Sequence, residues 1–457
     1  MAMAMKGLFS WTEKKEGVIA PDERLPWGSS IALGLQHALA MFGATVVGPL
    51  LMGFPPNTAI FFSGIGTLLF FLIVGGNVPS YLGSSFSFIT VVITAMGGLN
   101  ADGTGKNIPV ALGGILVCGL LYAIIALVTM FAGTRWIDFL MPPAVTGTVV
   151  MIIGLNLAGV GAFDASGSTE DVYLAIITLA AAVLSAVYLP GFLRRLPILI
   201  GGVVGFLVAI PLKNIDFSSV GKADWFGLPT FNTPQFDGSA IALIAPIAIV
   251  LVAENTGHIK AVGAITGRNL DGYLGRGFLG DAVATIIAGL GGGTGVTTYA
   301  ENIGVMAMTK VYSTLIFIIA SVVALLLGLC PKFGALLAII PSQANGVLGG
   351  LSIVLFGLIA ATGGRIWVQS RVDFGKPRNL LTAAVGIILG TGGLGGSNLY
   401  ALNFGKFQLG GIALGTFAAI ILYQILRDPK DASEEPAKEE AAVTADSSTA
   451  EAGGSSS

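Results

Sequence analysis

The sequence predicts an all-α polytopic membrane protein, and three observations predict it. Of 457 residues, 54% are hydrophobic and only 11% are charged, less than half the share of roughly a quarter found in soluble domains. Hydrophobic runs recur from residue 28 to residue 427, most of them near the ~20 residues that cross a ~30 Å hydrocarbon core. Lysine and arginine collect in alternate connections between those runs. This composition excludes a soluble enzyme, a disordered chain and a nucleic-acid binder. The two cysteines, Cys118 and Cys330, lie in apolar stretches and exclude a disulfide framework or a cysteine metal site. Two histidines leave little room for histidine-based metal chemistry.

Residues 1–27 hold Lys6, Glu13, Lys14, Lys15, Glu16, Asp22, Glu23 and Arg24. No apolar stretch follows the first basic residues before charge resumes, so no signal peptide is expected and the segment reads as an N-terminus outside the membrane body. Fourteen runs then follow, at 28–53, 57–76, 79–98, 108–133, 142–162, 171–190, 196–212, 239–264, 276–293, 296–309, 312–331, 344–363, 378–395 and 408–427. The third contains YLGSSFSF and the tenth GVTTYAEN. Their glycine, hydroxyl and aromatic residues suit extended backbone better than regular helix. Residues 428–457 carry eight acidic residues against two lysines among Ser, Ala and Gly, the composition of a disordered, solubilising tail.

An even number of spans places both termini and every even-numbered loop on one side. That side collects eighteen lysines and arginines and the other side five, Lys106, Lys213, Lys222, Lys332 and Lys406. The asymmetry places both termini in the cytoplasm.

Unusual features recur once in each half. Gln36–His37 in span 1 is echoed by Glu254 and His258 in span 8, and Ser84–Ser85–Phe86 in span 3 by Tyr299–Ala300–Glu301 in span 10. Pro142–Pro143 before span 5 corresponds more loosely to Pro341 before span 12. Seven spans per half is an odd number, so the halves are expected to be inverted. Interrupted segments at matching places in two inverted halves point to a substrate site near the bilayer midplane.

Of thirteen acidic residues between 28 and 427, three fall at membrane depth: Glu254, Asp281 and Glu301. Each costs roughly 2.5–3.5 kcal/mol to insert, which makes it a candidate for function. Glu254 and His258 are one helical turn apart and are expected to share a proton. Glu301 opens the segment ENIGVMAMTK beside the break in span 10. Two carboxylates facing one cavity, with backbone N–H groups freed at the breaks near Phe86 and Ala300, suit a neutral planar heterocycle bound by its edges and repel an anion.

At these residues the chain resembles the nucleobase–ascorbate transporter family, and within it the bacterial uracil:proton symporters. The likeness is carried by LQHALAMFGATVVGPLL (35–51), PSYLGSSFSFI (79–89), MPPAVTG (141–147), VAENTGHI (252–259), TTYAENIGVMAMTKVYS (297–313) and SRVDFGKPRNL (370–380). The resemblance implies short antiparallel strands in spans 3 and 10 and a homodimer in the cell membrane. It implies a core domain at 28–133 and 239–331 (spans 1–4 and 8–11), and a gate domain at 134–238 and 332–427 (spans 5–7 and 12–14).

Position by position, Glu254 and Glu301 match the base-binding glutamates. Phe86 and Ala300 match positions whose amides face ring carbonyls, and Tyr299 the aromatic beside the base. His258 matches the proton-coupling histidine, Asp281 a span 9 aspartate, and Gln36–His37 the Gln-His pair of span 1, with Ser84 and Asn302 as further support. Glu301–Asn302 stands where purine carriers usually have Gln-Asn, which implies a pyrimidine; a xanthine or uric acid carrier is the alternative. Two departures, Ala300 in place of glycine and Gly295–Val296 in place of Pro-Asn, bear on pocket size. The implied activity is proton-coupled import of uracil, with no cofactor beyond the coupling proton. An anion exchanger would place basic or purely backbone donors at the breaks, and a membrane enzyme would need a metal or nucleophile constellation that is not present.

Overall fold

The computed structural model describes residues 8–427 apart from 192, 393–400 and 405–406. The acidic tail at 428–457 lies outside the described residues, as does the end of the run at 378–395.

The N-terminal segment forms two short parallel strands, β1 (Thr12–Glu13) and β2 (Glu23–Arg24). α1 (Trp27–Met52) and α2 (Pro56–Ile73) follow. Gly53 ends α1 at φ 72°, a left-handed turn suited to glycine. β3 (Leu82–Ser84) leads through a 3₁₀ turn at Phe86–Phe88 into α3 (Ile89–Ala95). Next come α4 (Ile108–Ala132), the short α5 (Arg135–Leu140), α6 (Pro143–Asn156), α7 (Ala158–Ala165), α8 (Thr169–Tyr188) and α9 (Pro197–Lys213).

After the short α10 (Ser218–Lys222) come α11 (Gly238–Ile244), α12 (Ile247–Thr266) and α13 (Leu274–Gly291). β4 (Val296–Thr298) then leads into α14 (Ala300–Thr309). The remaining elements are α15 (Thr314–Gly328), α16 (Pro331–Gln343), α17 (Asn345–Gln369), α18 (Pro377–Thr391), a hairpin of β5 (Ala401–Phe404) and β6 (Phe407–Gly410), and α19 (Gly411–Ile425). Proline opens the first turn of α2, α6, α9, α16 and α18, where its missing N–H breaks no helical bond.

Among the described residues, eight helical stretches are long and apolar enough to cross a bilayer, including α6 with α7 and α11 with α12. The other hydrophobic runs hold shorter helices: α3, α9, α14, α15, α18 and α19. The chain is a mostly helical, multi-pass membrane protein. α16 is a helix where the sequence predicts only the approach to a span. It turns 80° from α15, because Pro331 starts a new helix after the bend and Lys332, Ser342 and Gln343 suit an interfacial position.

The helices pack in two groups. α13 lies against α4 and α2, α15 against α2 and α1, and α11 against α4. In the other group, α17 packs on α6, α7 and α8, α18 on α19 and α6, and α9 on α8. Small residues let the backbones approach. A Cβ on Gly154 of α6 would lie 2.4 Å from the Phe356 carbonyl oxygen and 2.5 Å from the Ala360 nitrogen of α17, an arrangement typical of packing in lipid.

β3 and β4 pair antiparallel, with Leu82 opposite Thr298, Gly83 opposite Thr297 and Ser84 opposite Val296. All six residues are buried. Extended backbone survives at this depth because each strand satisfies the other and helices enclose both.

The N-terminal segment does not stand apart from the body as the sequence suggested. Ile19 is fully buried and bridges Val311 in parallel. Its N–H donates to the Lys310 carbonyl at 3.0 Å, and Tyr312 N–H donates to the Ile19 carbonyl at 2.8 Å. The Trp11 indole donates to Thr314 Oγ1 at 3.0 Å, with its ring stacked on Phe71. A charged average composition conceals these few apolar anchors.

Candidate substrate site

Between the two helix groups lies a cavity of about 460 Å³. α1, α12 and α14 form one wall; α9, α17 and Val150 of α6 form the other. Glu254, His258, Ala300 and Glu301 all line it. The structure therefore brings both proposed base-binding carboxylates, the histidine and the start of α14 to a single space.

The Glu254 carboxylate is held from the opposite half of the chain. Its Oε2 accepts from Ser85 Oγ at 3.2 Å and from Ser87 Oγ at 3.3 Å. Ser85 also caps the 3₁₀ turn, its Oγ accepting from Ser87 N–H at 3.3 Å. The break after β3 thus delivers two hydroxyl donors to a carboxylate on α12.

His258 does not bond to Glu254, although one turn separates them. Its Nδ1 lies 2.9 Å from Thr298 Oγ1, and that hydroxyl donates to Asn255 Oδ1 at 3.0 Å. A hydroxyl has one proton to give, so Nδ1 carries the hydrogen in its own contact and donates to Thr298. Asn255 in turn donates to Asp281 Oδ2 and, at 3.2 Å, to the Tyr122 hydroxyl. A polar chain therefore runs from His258 through β4 and α12 to Asp281 on α13. Asp281 is fully buried behind this chain and does not line the cavity.

The remaining candidates are second to the cavity. The Tyr299 hydroxyl donates to the Ser84 carbonyl at 3.1 Å and accepts from Thr45 Oγ1 at 3.3 Å. Its ring covers Gly83, where a Cβ would lie 2.4 Å from the Tyr299 oxygen. Tyr299 braces the paired strands and does not line the cavity. Phe86 is buried edge-on against Phe356 of α17, also outside the lining. Ser84 Oγ bonds to Thr294 Oγ1. Asn302 Nδ2 reaches the Nδ1 and carbonyl oxygen of His37, at 3.0 and 3.1 Å, joining α14 to α1. Gln36 is half-buried on α1. Gly295 packs under the Phe88 ring and Val296 lies in β4, so that departure from the family pattern does not shape the cavity wall, whereas Ala300 does.

The donor roles of Ser85 and Ser87, and the parts played by Asn255, Thr298 and Tyr122, are not legible in the sequence. Hydroxyl and amide side chains are cheap enough in apolar segments that their presence alone signals little. Neither Glu254 nor Glu301 joins an ion pair among the described residues, and no group of three His, Cys, Asp or Glu there could hold a metal ion. α14 begins without a side-chain cap, leaving first-turn N–H groups and the positive end of the helix available to an acceptor.

Residues 28–398 match the Permease family of xanthine and uracil carriers. The chain belongs to that family, the nucleobase–ascorbate transporters. It is a permease, not an enzyme. It is 54% identical over 435 residues to RutG of Escherichia coli (strain K12), named as a candidate pyrimidine permease, covering 93% of this chain and 96% of that one. It is 41% identical over 419 residues to the uracil permease of the same organism, covering 90% and 94%. Among solved structures, murine Slc26a9, an anion transporter in an inward-facing state, aligns with a TM-score of 0.63 at 12% identity, over 88% of this chain and 68% of that one. The transmembrane domain of the cyanobacterial bicarbonate transporter BicA aligns at 0.55 and 15% identity, over 87% and 97%. These last two are likenesses of fold alone.

Proposed function

We propose that this permease imports uracil together with a proton, by alternating access. The observation that carries the reading is the convergence of Glu254, His258 and Glu301 on one cavity between two separately packed helix groups. The names of its relatives, among them uracil permeases, support the pyrimidine. Glu254 and Glu301 accept from ring N–H groups, and first-turn N–H groups of α14 donate to a ring carbonyl. Protonation at the Glu254–His258 face accompanies entry, and proton loss accompanies release.

α1–α4 with α11–α15 serve as the substrate-holding core, and α6–α9 with α17–α19 as the gate. α5 and α16 lie between them along the chain, and the Lys260–Asp138 ion pair ties α5 to α12. The antiparallel pairing of β3 and β4, each followed by a half-helix, supports fourteen spans in two inverted halves. The basic bias of the loops supports cytoplasmic termini. α9, α12, α14 and α17 all approach that basic side along the cavity, which fits an inward-open state. The working unit is proposed to be a homodimer.

Uptake of labelled uracil into proteoliposomes under an imposed inward proton gradient tests this reading. Accumulation that collapses with an uncoupler and resists xanthine supports it. Preferential competition by xanthine refutes the substrate, and accumulation indifferent to the uncoupler refutes the coupling.

A further inference from the structure

The large cavity has a closed side. Its lining takes no residue from α3, α11, β6 or α19. α3 continues the chain past the break that delivers Ser85 and Ser87 to Glu254. α11 packs on both α3 and β6, so the two helix groups touch there. The space left between them is about 20 Å³, lined by Thr90, Val91, Thr94, Asn156, Leu243 and Ile412 with two glycines. That is room for about one water molecule.

Across this seam Thr90 Oγ1 on α3 donates to Asn156 Oδ1 on α6 at 3.1 Å. Asn156 Nδ2 donates to the Gly390 carbonyl of α18 at 2.8 Å. A carbonyl only accepts, so that contact fixes which end of the amide faces Thr90. Asn156 is 5% exposed and lies inside the membrane-crossing stretch Pro143–Ala165. A buried amide is costly there unless both of its ends are matched. Its donor end is matched within its own helix group, by α18. Its acceptor end is matched from the opposite group, by the first turn of α3. Gly411, at φ 53°, closes over the same amide, and a Cβ there would lie 3.2 Å from Asn156 Nδ2.

We propose that Thr90 and Asn156 form a latch between the two helix groups, closed while the large cavity is open and broken when the opposite side opens. The latch rests on the alternating-access reading, because movement of one group against the other is what parts these side chains. Thr90 follows Ser85 and Ser87 within one short segment, so a shift of that segment moves the donors of Glu254 and releases the latch together. Water entering the opened seam takes the place of the Thr90 hydroxyl at Asn156 Oδ1. The net difference is that of a single neutral hydrogen bond, small enough to be made and broken in every cycle.

The test uses the full-length protein in oriented proteoliposomes, in a background lacking Cys118 and Cys330. In one arm, a Thr90→Cys/Asn156→Cys pair is bridged by a short, reducible bifunctional thiol reagent. Uracil uptake is expected to be lost on bridging and to return on reduction. Uptake that continues at its unbridged rate overturns the proposal. In the other arm, Ile412→Cys reports opening of the seam, since the isoleucine is only 3% exposed when the seam is closed. Thr90→Val is expected to raise its reaction with an impermeant thiol reagent about two- to tenfold, the scale of one net hydrogen bond. Thr90→Ser, which keeps the hydroxyl, is expected to react near the parent rate. An unchanged rate in Thr90→Val overturns the latch. An equal rise in Thr90→Ser also overturns it, because packing and not the hydrogen bond would then hold the seam. Absence of uracil uptake in the parent protein removes the uracil reading instead, and the labelling arm, which needs no substrate, then decides the latch.

Discussion

Glu254 and His258 sit one turn apart on α12, yet each takes its partner from another element. Sequence spacing made a direct pair the expectation, because i and i+4 side chains share a helix face. Ser85 and Ser87 instead donate to Glu254, and His258 donates to Thr298. The intramembrane acids were legible because charge at that depth is costly. Their hydroxyl partners were not, because serine and threonine bear no such cost and lie far away in sequence. Ser85→Ala/Ser87→Ala removes both hydroxyl donors to Glu254, each worth roughly 1.5–3 kcal/mol when the acceptor is charged. Uracil affinity should then fall about tenfold or more in equilibrium binding, and unchanged affinity would show that the carboxylate needs no such support. Thr298→Val cuts His258 from Asn255 and Asp281. It should depress proton-driven accumulation more than uracil binding, which paired uptake and binding assays distinguish.

At the scale of elements, composition marked where regular helix fails but not what braces the exception. Gly, Ser and Thr around residues 82–88 and 294–299 signalled the breaks. The brace is Tyr299, whose ring fills the space over Gly83 and whose hydroxyl reaches the Ser84 carbonyl. Gly83→Ala should therefore destabilise the strand pair by about 1–3 kcal/mol, the usual cost of overpacking. Gly357→Ala on α17, where a Cβ meets nothing within 4 Å, should leave the melting temperature in detergent close to that of the wild type. Similar losses in both would mean that glycine matters for helix flexibility and not for the room it leaves Tyr299. The N-terminal strap was illegible for a different reason: one isoleucine and one tryptophan anchor a segment that is otherwise charged. Ile19→Ala should cost roughly 2–5 kcal/mol if the strap is integral to the fold, read as a lowered thermal midpoint. A midpoint unchanged by Ile19→Ala would make the strap an attachment and not a part of the core.

The whole molecule presents two packed groups with a cavity between them, and only the polytopic class was available from hydropathy. Which groups form depends on contacts such as α13 with α4 and α17 with α6, across more than a hundred residues of sequence, and local periodicity holds no record of them. The cavity's extent toward the basic loops gives this arrangement a directional consequence. Thr362 on α17 lies in the lining between Leu355 and Arg365. In a background lacking Cys118 and Cys330, a Thr362→Cys variant should react with a membrane-impermeant thiol reagent from the cytoplasmic face and resist it from the outer face. The proposed alternating access adds a second requirement, because a ligand shifts the population only toward the state it binds better. An externally presented base that holds the outward-facing state should slow cytoplasmic labelling in proportion to its occupancy. Equal labelling from both faces that no base slows would describe a continuous pore, through which substrate leaks back down its own gradient, and would refute the proposed alternating access.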